Sequence, residues 1–178
     1  MGVIKFITLI LIFGGTSCIG ILVAQKYVNR LKELQEIKSA LHMLEVKIKF
    51  TYDPIPKIFR EIENKFSESI SKIFGIAAEK MENMPASEAW EEGIKLSSTN
   101  LTSKDKDILK DLGKLLGQTD VEGQISQIKL ISDFLDLQIS EANIERQKNQ
   151  KLYRTLRHGS RTGYCNYISV NINYYFNL

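Results

Sequence analysis

LQEIKSALHMLEVKI, residues 34–48, is the stretch that decides the fold of this chain. Its apolar side chains recur after three, four, three and four residues, at Leu34, Ile37, Leu41, Leu44 and Ile48. That spacing places all five on one face of a helix, as in the seam of a packed or coiled helix. The pattern predicts a helix that other helices cover along this face. It should end near residue 51, because prolines at 54 and 56 disfavour helical angles in the residues before them.

The helical period continues to Leu156, and no alternating strand pattern interrupts it. We expect five further helices, with Pro85 beginning the fourth, a loop at Ser97–Asn100, and Thr102 or Ser103 capping the fifth. Their apolar positions are Ile58, Phe59, Ile62 and Phe66; then Ile70, Ile73, Phe74 and Ala77; then Trp90 and Ile94; then Ile108, Leu112, Leu115 and Leu116; and finally Ile125, Ile128, Leu135, Ile139 and Ala142. The predicted fold class is all-α, with an antiparallel bundle of about six helices over residues 26–156.

The run from Phe6 to Ala24 precedes this bundle and carries no charge. As a helix it would be about 28 Å long, which is close to the hydrocarbon thickness of a bilayer. Residues 1–25 are therefore predicted to be a transmembrane anchor. Lys26, Arg30 and Lys32 follow the run, whereas only Lys5 and the terminal amine precede it. This excess of cations favours a cytoplasmic bundle.

A cleaved leader is the alternative interpretation of the same run. Lys5 would be its charged start, and the small residues 14–17 before Cys18 suggest a lipoprotein acceptor. However, Gly15 occupies the position where lipoproteins usually carry a large aliphatic residue, and the run stays apolar as far as Ala24. The uncleaved anchor is favoured. The alternative would make the chain an extracytoplasmic helical adaptor or lipoprotein in an envelope complex.

Composition and motifs argue against a reaction centre. The chain has 178 residues, enough for one core, and a formal net charge of +3 that does not indicate a nucleic-acid surface. Its 2 cysteines, Cys18 and Cys165, leave the domain between them without a disulfide framework or a thiolate metal site. His42 has no second ligand at metal spacing, and the adjacent Glu91 and Glu92 point to different sides of a helix. We expect no enzymatic activity, cofactor, metal, small-molecule substrate or nucleic-acid partner.

The joint between the fifth and sixth predicted helices has a more distinctive sequence than the rest of the chain. It reads Leu112-Gly113-Lys114-Leu115-Leu116-Gly117-Gln118-Thr119-Asp120, followed by Gln124. Gly113 should let a neighbouring helix approach, Gly117 should end the fifth helix, and Asp120 should cap the sixth. Trp90 is predicted to be a core anchor rather than a binding platform.

This joint resembles the helix–turn–helix signature of the stage III sporulation protein AB family. The same joint is found in the cytoplasmic domains of the inner-membrane platform protein of type II secretion and type IV pilus systems. Three further stretches extend the resemblance over roughly residues 1–156. They are Glu36–Leu41 with Leu44 and Glu45, Asp53–Ile55, and Ala89–Glu91.

The resemblance implies a non-catalytic membrane subunit of the secretion-like channel apparatus between mother cell and forespore. Its bundle would lie on the mother-cell side of the cell membrane, in a single- or double-pass protein. There it would dock a cytoplasmic ATPase to membrane and intermembrane stage III subunits. The sites would then be surfaces, and the residues of the motif are the candidates: Gly113, Gly117, Asp120, Gln124 and Trp90.

Residues 157–178 differ from the apolar C-terminal segment that members of this family carry. The stretch is polar and aromatic, and Tyr164–Phe176 alone would fit a short strand. A reading-frame change is a second hypothesis. Synonymous codons for residues 157–170, read one base later, can encode an apolar segment followed by a stop. An intact reading frame through Leu178 in resequenced DNA would exclude it.

Overall fold

The computed structural model describes the backbone of residues 2–51, 53–114 and 116–175. Side chains are described for Thr8 and for residues 23–51, 53–114 and 116–149. These residues form six α-helices and no strand. The helices are α1 Gly2–Phe50, α2 Ile55–Glu63, α3 Glu68–Lys80, α4 Ala86–Leu96, α5 Ser103–Gly113 and α6 Val121–Tyr175. The prediction of an all-α fold with six helices is confirmed.

The chain divides into two compact units. One unit is Lys26–Asn143, which contains α2 to α5 and the parts of α1 and α6 that pack with them. The other unit consists of Met1–Gln25 and Ile144–Leu178. All packing described below lies within the first unit, which we call the bundle.

The predicted anchor, Phe6–Ala24, lies within α1. Apart from Thr8, Val23 and Ala24, its side chains are outside the described residues. Where side chains are described, no helix has an apolar stretch long enough to cross a membrane. The anchor therefore stays a prediction from the sequence.

The observed ends of α2 and α6 differ from the predicted ones. Phe66 lies outside α2, because the chain makes a tight turn after Glu63, in which the Lys65 N–H donates to the Ile62 carbonyl at 3.0 Å. Phe66 is still partly buried against the core. α6 does not end near Leu156 and continues to Tyr175, so the predicted strand is wrong for residues 164–175. The physical reason is that this stretch contains no proline, and glycine only weakens a helix.

The core is organised along the predicted seam of α1. Leu34, Leu41 and Leu44 are fully buried, and Ile37 and Ile48 are 1% and 6% exposed. An aromatic trio lies beside them: the rings of Phe59, Phe74 and Trp90, from α2, α3 and α4, have centroids 5.0–5.5 Å apart. Rings at such distances in tilted and edge-to-face arrangements add to the stability that burial provides.

Two ion pairs show that α1 and α6 run antiparallel in the bundle. Lys38 pairs with Asp136 at 2.6 Å, and Glu45 pairs with Lys129 at 3.7 Å. From Lys38 to Glu45 the chain advances by seven residues along α1, while the paired residues of α6 go back by seven, from Asp136 to Lys129. The predicted antiparallel arrangement holds for this helix pair.

A buried ion pair joins α1 to the start of α5. Arg30 donates from Nε and Nη2 to the two carboxylate oxygens of Asp105, at 2.8 and 2.9 Å. Asp105 also accepts from the Thr102 N–H at 2.8 Å, while the Thr102 hydroxyl accepts from the Asp105 N–H at 3.3 Å. This reciprocal arrangement is a capping box, so Thr102 is the cap of α5. The pairing of Asp105 with Arg30 was not predicted from the sequence, because the two residues lie 75 positions apart.

Further polar side chains surround this pair. Glu33, only 5% exposed, accepts from the backbone and the side-chain amide of Asn100 at 2.7 Å each. On α6, the buried amide of Gln138 lies beside Asp105, and with its nitrogen assigned to that side it donates to Asp105 Oδ1 at 3.2 Å. Burial acts to raise the pKa of Asp105, but the hydrogen bonds from Arg30 and Thr102 outweigh it, so the pKa lies below its ordinary value.

We predict that Asp105→Asn lowers the free energy of unfolding by about 3 kcal/mol at pH 7, because it removes the charge that Arg30 faces inside the bundle. A carboxyl with a lowered folded pKa stabilises above its unfolded pKa of about 4, and this stability is lost as the pH falls through the folded value. The variant should therefore lose less stability than the wild type on acidification below pH 4. Urea unfolding of the full chain, followed by circular dichroism, measures both effects.

Lys38→Ala is the matched control, since it breaks the exposed pair with Asp136 and should cost less than about 1 kcal/mol. Equal losses for Asp105→Asn and Lys38→Ala would contradict the importance assigned to the buried pair.

Candidate functional site at the joint of α5 and α6

The joint between α5 and α6 begins earlier than the sequence suggested. α5 ends at Gly113 rather than Gly117, because the Leu116 N–H donates to the Gly113 carbonyl at 3.2 Å and the last turn tightens. Leu116, 3% exposed, is buried in the core. Gly117 has a φ of +73°, a left-handed conformation that glycine adopts without a steric penalty. Gly117 thus redirects the chain within the turn rather than ending the helix itself.

Two side chains beside the turn hold it in place. Asp120 Oδ1 accepts from the Gly123 N–H at 2.9 Å, as the cap of a helix N-terminus does. Gln124 accepts from the Gly117 N–H at 3.4 Å and donates to the Thr119 carbonyl at 3.0 Å. The amide of Gln124 therefore bridges the two ends of the turn.

Gly113 and Trp90 form the contact between α5 and α4. A Cβ at Gly113 would lie 3.0 Å from Trp90 Cδ1 and 3.3 Å from the Ser87 carbonyl oxygen, so a larger residue would push the helices apart. Trp90 is 1% exposed, and its indole N–H donates to the Leu109 carbonyl at 2.6 Å. Both residues are buried and act through packing in this conformation.

The five residues of the motif therefore separate into two groups. Gly113 and Trp90 lie inside the bundle, whereas Gly117 and Asp120 are exposed and Gln124 is partly exposed. Only the second group offers surface to a partner. Its members also have a local role in shaping the turn, and its use as a binding surface stays a prediction.

A small hollow lies beneath the joint. It is lined by Ile48, Leu112, Leu116, Gln124, Gln127 and Ile128 and has a cavity volume of about 10 Å³. Pockets that hold small molecules usually measure about 300–1,000 Å³. No group of three histidine, cysteine or carboxylate side chains suited to a metal occurs among the side chains described. His42 is exposed and lies 3.7 Å from Glu45.

α6 also carries an exposed apolar row that was not predicted from the sequence. Leu130, Phe134 and Leu137 are 47%, 43% and 64% exposed, and we call these three residues the outer stripe. Their spacing of four and three residues places them on one face of the helix. The same spacing is visible in the sequence, where the core face of α6 was the only apolar face predicted.

Helix packing around one core and a buried polar cluster define a helical bundle protein. The sequence profile of the stage III sporulation protein AB family matches residues 5–159. The chain therefore belongs to the stage III sporulation protein AB family, which supports a role in sporulation. The match ends near residue 157, where the atypical tail begins.

Two relatives agree with this assignment. The stage III sporulation protein AB of Bacillus subtilis (strain 168) is 24% identical over 157 residues, which cover 86% of this chain and 92% of that protein. A solved structure of stage III sporulation protein AB covers 67% of this chain and 98% of its own, with a TM-score of 0.62 and 23% identity. The solved structure shows that the fold is shared.

We predict that Gly117→Ala destabilises the bundle by about 1–2 kcal/mol, because a Cβ disfavours the left-handed conformation. Gly117→Asn should cost less, since asparagine enters this region more readily. Steric clashes do not contribute to the loss of stability in Gly117→Ala, because a Cβ at this position would lie 3.7 and 3.8 Å from the nearest side-chain atoms. Thermal unfolding of both variants tests this order, and equal stability of Gly117→Ala and the wild type would refute it.

Proposed function

We propose that this chain is a non-catalytic membrane subunit of the secretion-like apparatus that joins mother cell and forespore. In this role its bundle docks a cytoplasmic ATPase to membrane and intermembrane stage III proteins. The observation that carries the proposal is the family match over residues 5–159, together with a solved family member of the same fold. In this role the packed core of the bundle would hold its exposed surfaces in a fixed arrangement for binding.

Attachment to the membrane is the second element of the proposal. It rests on the uncharged run from Phe6 to Ala24 and on the cations that follow it, Lys26, Arg30 and Lys32. Arg30 makes a buried ion pair with Asp105, so Lys26 and Lys32 are the cations exposed to the cytoplasmic leaflet. The proposed location is the cell membrane, with the bundle on the mother-cell side.

The exposed part of the joint is the proposed docking site for the ATPase. Gly117 and Asp120 lie at the surface of a turn that Gln124 holds in one conformation. A turn of fixed shape loses little conformational freedom when a partner binds it, which favours recognition. Asp120 would contribute a negative charge to that contact.

The tail is proposed to differ from the family because of a change in reading frame. The end of the family match at residue 159 is compatible with this idea, since the unusual composition begins at the same place. In the alternative frame the tail would be apolar and would provide a second membrane segment.

The extracytoplasmic adaptor or lipoprotein is the alternative function, and it differs from the proposal in sidedness. It rests on Cys18 and the small residues before it. The test uses a reporter that is active only in the cytoplasm, fused after Arg30. Activity of this fusion would exclude the alternative.

Deleting the gene tests the proposed function directly. We expect vegetative growth to be unchanged and the number of heat-resistant spores to fall, because the assembly would lack one of its membrane subunits. A second copy of the gene should restore sporulation. Normal spore numbers in the deletion strain would overturn the proposal.

Asp120 allows capping to be separated from partner binding. Asp120→Asn keeps a side chain that caps helices as well as aspartate does, but it removes the charge. Asp120→Ala removes both and should destabilise α6 by about 1 kcal/mol. If the joint binds the ATPase, Asp120→Asn should reduce co-purification of the ATPase with the full chain from detergent extracts while leaving thermal stability unchanged. Wild-type recovery with Asp120→Asn would restrict Asp120 to capping.

A further inference from the structure

The outer stripe lies outside the buried core of the bundle. Leu130, Phe134 and Leu137 keep between 43% and 64% of their surface exposed, whereas Ile128, Ile131 and Leu135 on the core face are at most 1% exposed. Three apolar side chains at positions i, i+4 and i+7 are the arrangement with which one helix anchors another. The stripe is therefore a surface suited to a second helix.

The charge around the stripe restricts what can bind there. Between residues 121 and 143, α6 carries the carboxylates Glu122, Asp133, Asp136 and Glu141 and a single cation, Lys129. This segment is thus acidic within a chain whose formal net charge is +3. Asp133 lies one helical turn from both Leu130 and Leu137, so a carboxylate borders the stripe itself.

Some of these carboxylates already have partners. Asp136 pairs with Lys38 at 2.6 Å, and Glu141 pairs with Lys104 at 3.1 Å. Glu122 and Asp133 are exposed and have no ion pair among the side chains that are described. Asp133 is the one of the two that borders the stripe, so it is the charge that an incoming cation would meet.

We propose that the outer stripe docks a basic amphipathic helix of another protein in the stage III assembly. Apolar side chains of that helix would cover Leu130, Phe134 and Leu137, and a lysine or arginine beside them would pair with Asp133. The membership of the partner in this assembly rests on the proposed function. The chemistry of the partner rests on the stripe and its charge alone.

Two other occupants fit the charge less well. An anionic membrane surface attracts cations and would repel the carboxylates along α6. A second copy of the chain, bound through the same face, would bring two sets of these carboxylates together. A basic helix is the occupant that satisfies both the apolar row and its acidic border.

Photo-cross-linking in sporulating cells tests the proposal with the full chain. A photoreactive phenylalanine analogue replaces Leu137, and the same analogue at Leu96 on α4 is the control, because Leu96 is 56% exposed and lies on a different helix. We expect a protein adduct from position 137 that is absent from position 96. Mass spectrometry of the adduct should identify a helical segment with apolar residues three or four apart and an adjacent lysine or arginine.

Variants separate the apolar contribution from the charge. In these experiments the photoreactive analogue replaces Phe134. The double variant Leu130→Ser and Leu137→Ser should lower the adduct yield about tenfold, and Asp133→Lys alone should lower it about threefold. Leu96→Ser should leave it unchanged. Circular dichroism of each variant should match the wild type, since all four positions are exposed.

Several outcomes would overturn the proposal. These are an adduct to a second copy of the chain, an adduct to lipid, an adduct to a segment without cations, and a yield at position 137 no higher than at position 96. Failure of the proposed function is distinguishable, because it would appear as normal sporulation after gene deletion. In that case an adduct to a basic helix of a protein outside the stage III set would still support the stripe as a docking surface.

Discussion

The buried pair of Arg30 and Asp105 is the constraint on which the arrangement of the bundle depends. It connects two helices through residues that are 75 positions apart in the sequence, and both side chains are almost completely removed from solvent. Charges in such a position are stable only if each finds its partners, so α1 and α5 have little freedom to slide or turn relative to each other. Apolar packing alone is less demanding, because similar side chains can exchange places.

The same pair links the helix ends to the core. Asp105 completes the capping box of α5 with Thr102, and Gln138 of α6 lies beside it, so this carboxylate stands where α1, α5 and α6 meet. At the other end of α5, the joint from Gly113 to Gln124 fixes the connection between α5 and α6. A partner that binds the exposed part of this joint therefore meets a turn whose shape is set in advance.

Much of this structure was predictable, and the reasons are local. The spacing of Leu34, Ile37 and Leu41 identified the buried face of α1, since helical periodicity needs only neighbouring residues. The preference of Gly117 for left-handed angles and of Asp120 for a cap is likewise a property of the residue and its immediate sequence. The contact of Gly113 with a neighbouring helix followed from the small size of glycine.

What escaped prediction depends on distant partners or on competing local signals. A carboxylate such as Asp105 is common at the start of a helix for local reasons, and nothing near it in the sequence indicates Arg30. The strand expected at Tyr164–Phe176 followed from aromatic composition, yet the backbone is helical to Tyr175. The outer stripe was overlooked because Ile128 and Leu135 already accounted for a core face on α6. The apolar pattern of the core face made the second apolar face of the same helix easy to overlook.

The two faces of α6 also create an ambiguity of register. Leu130, Phe134, Leu137 and Glu141 are the core row Ile131, Leu135, Gln138 and Ala142 displaced by one residue, which is about 100° around the helix. In the slipped register, Leu137 would face Asp105 in place of the amide of Gln138, and Glu141 would enter the apolar position of Ala142. Gln138 and Ala142 thus both favour the observed side of a two-sided helix as the inner one, and the opposite face is left available to other molecules.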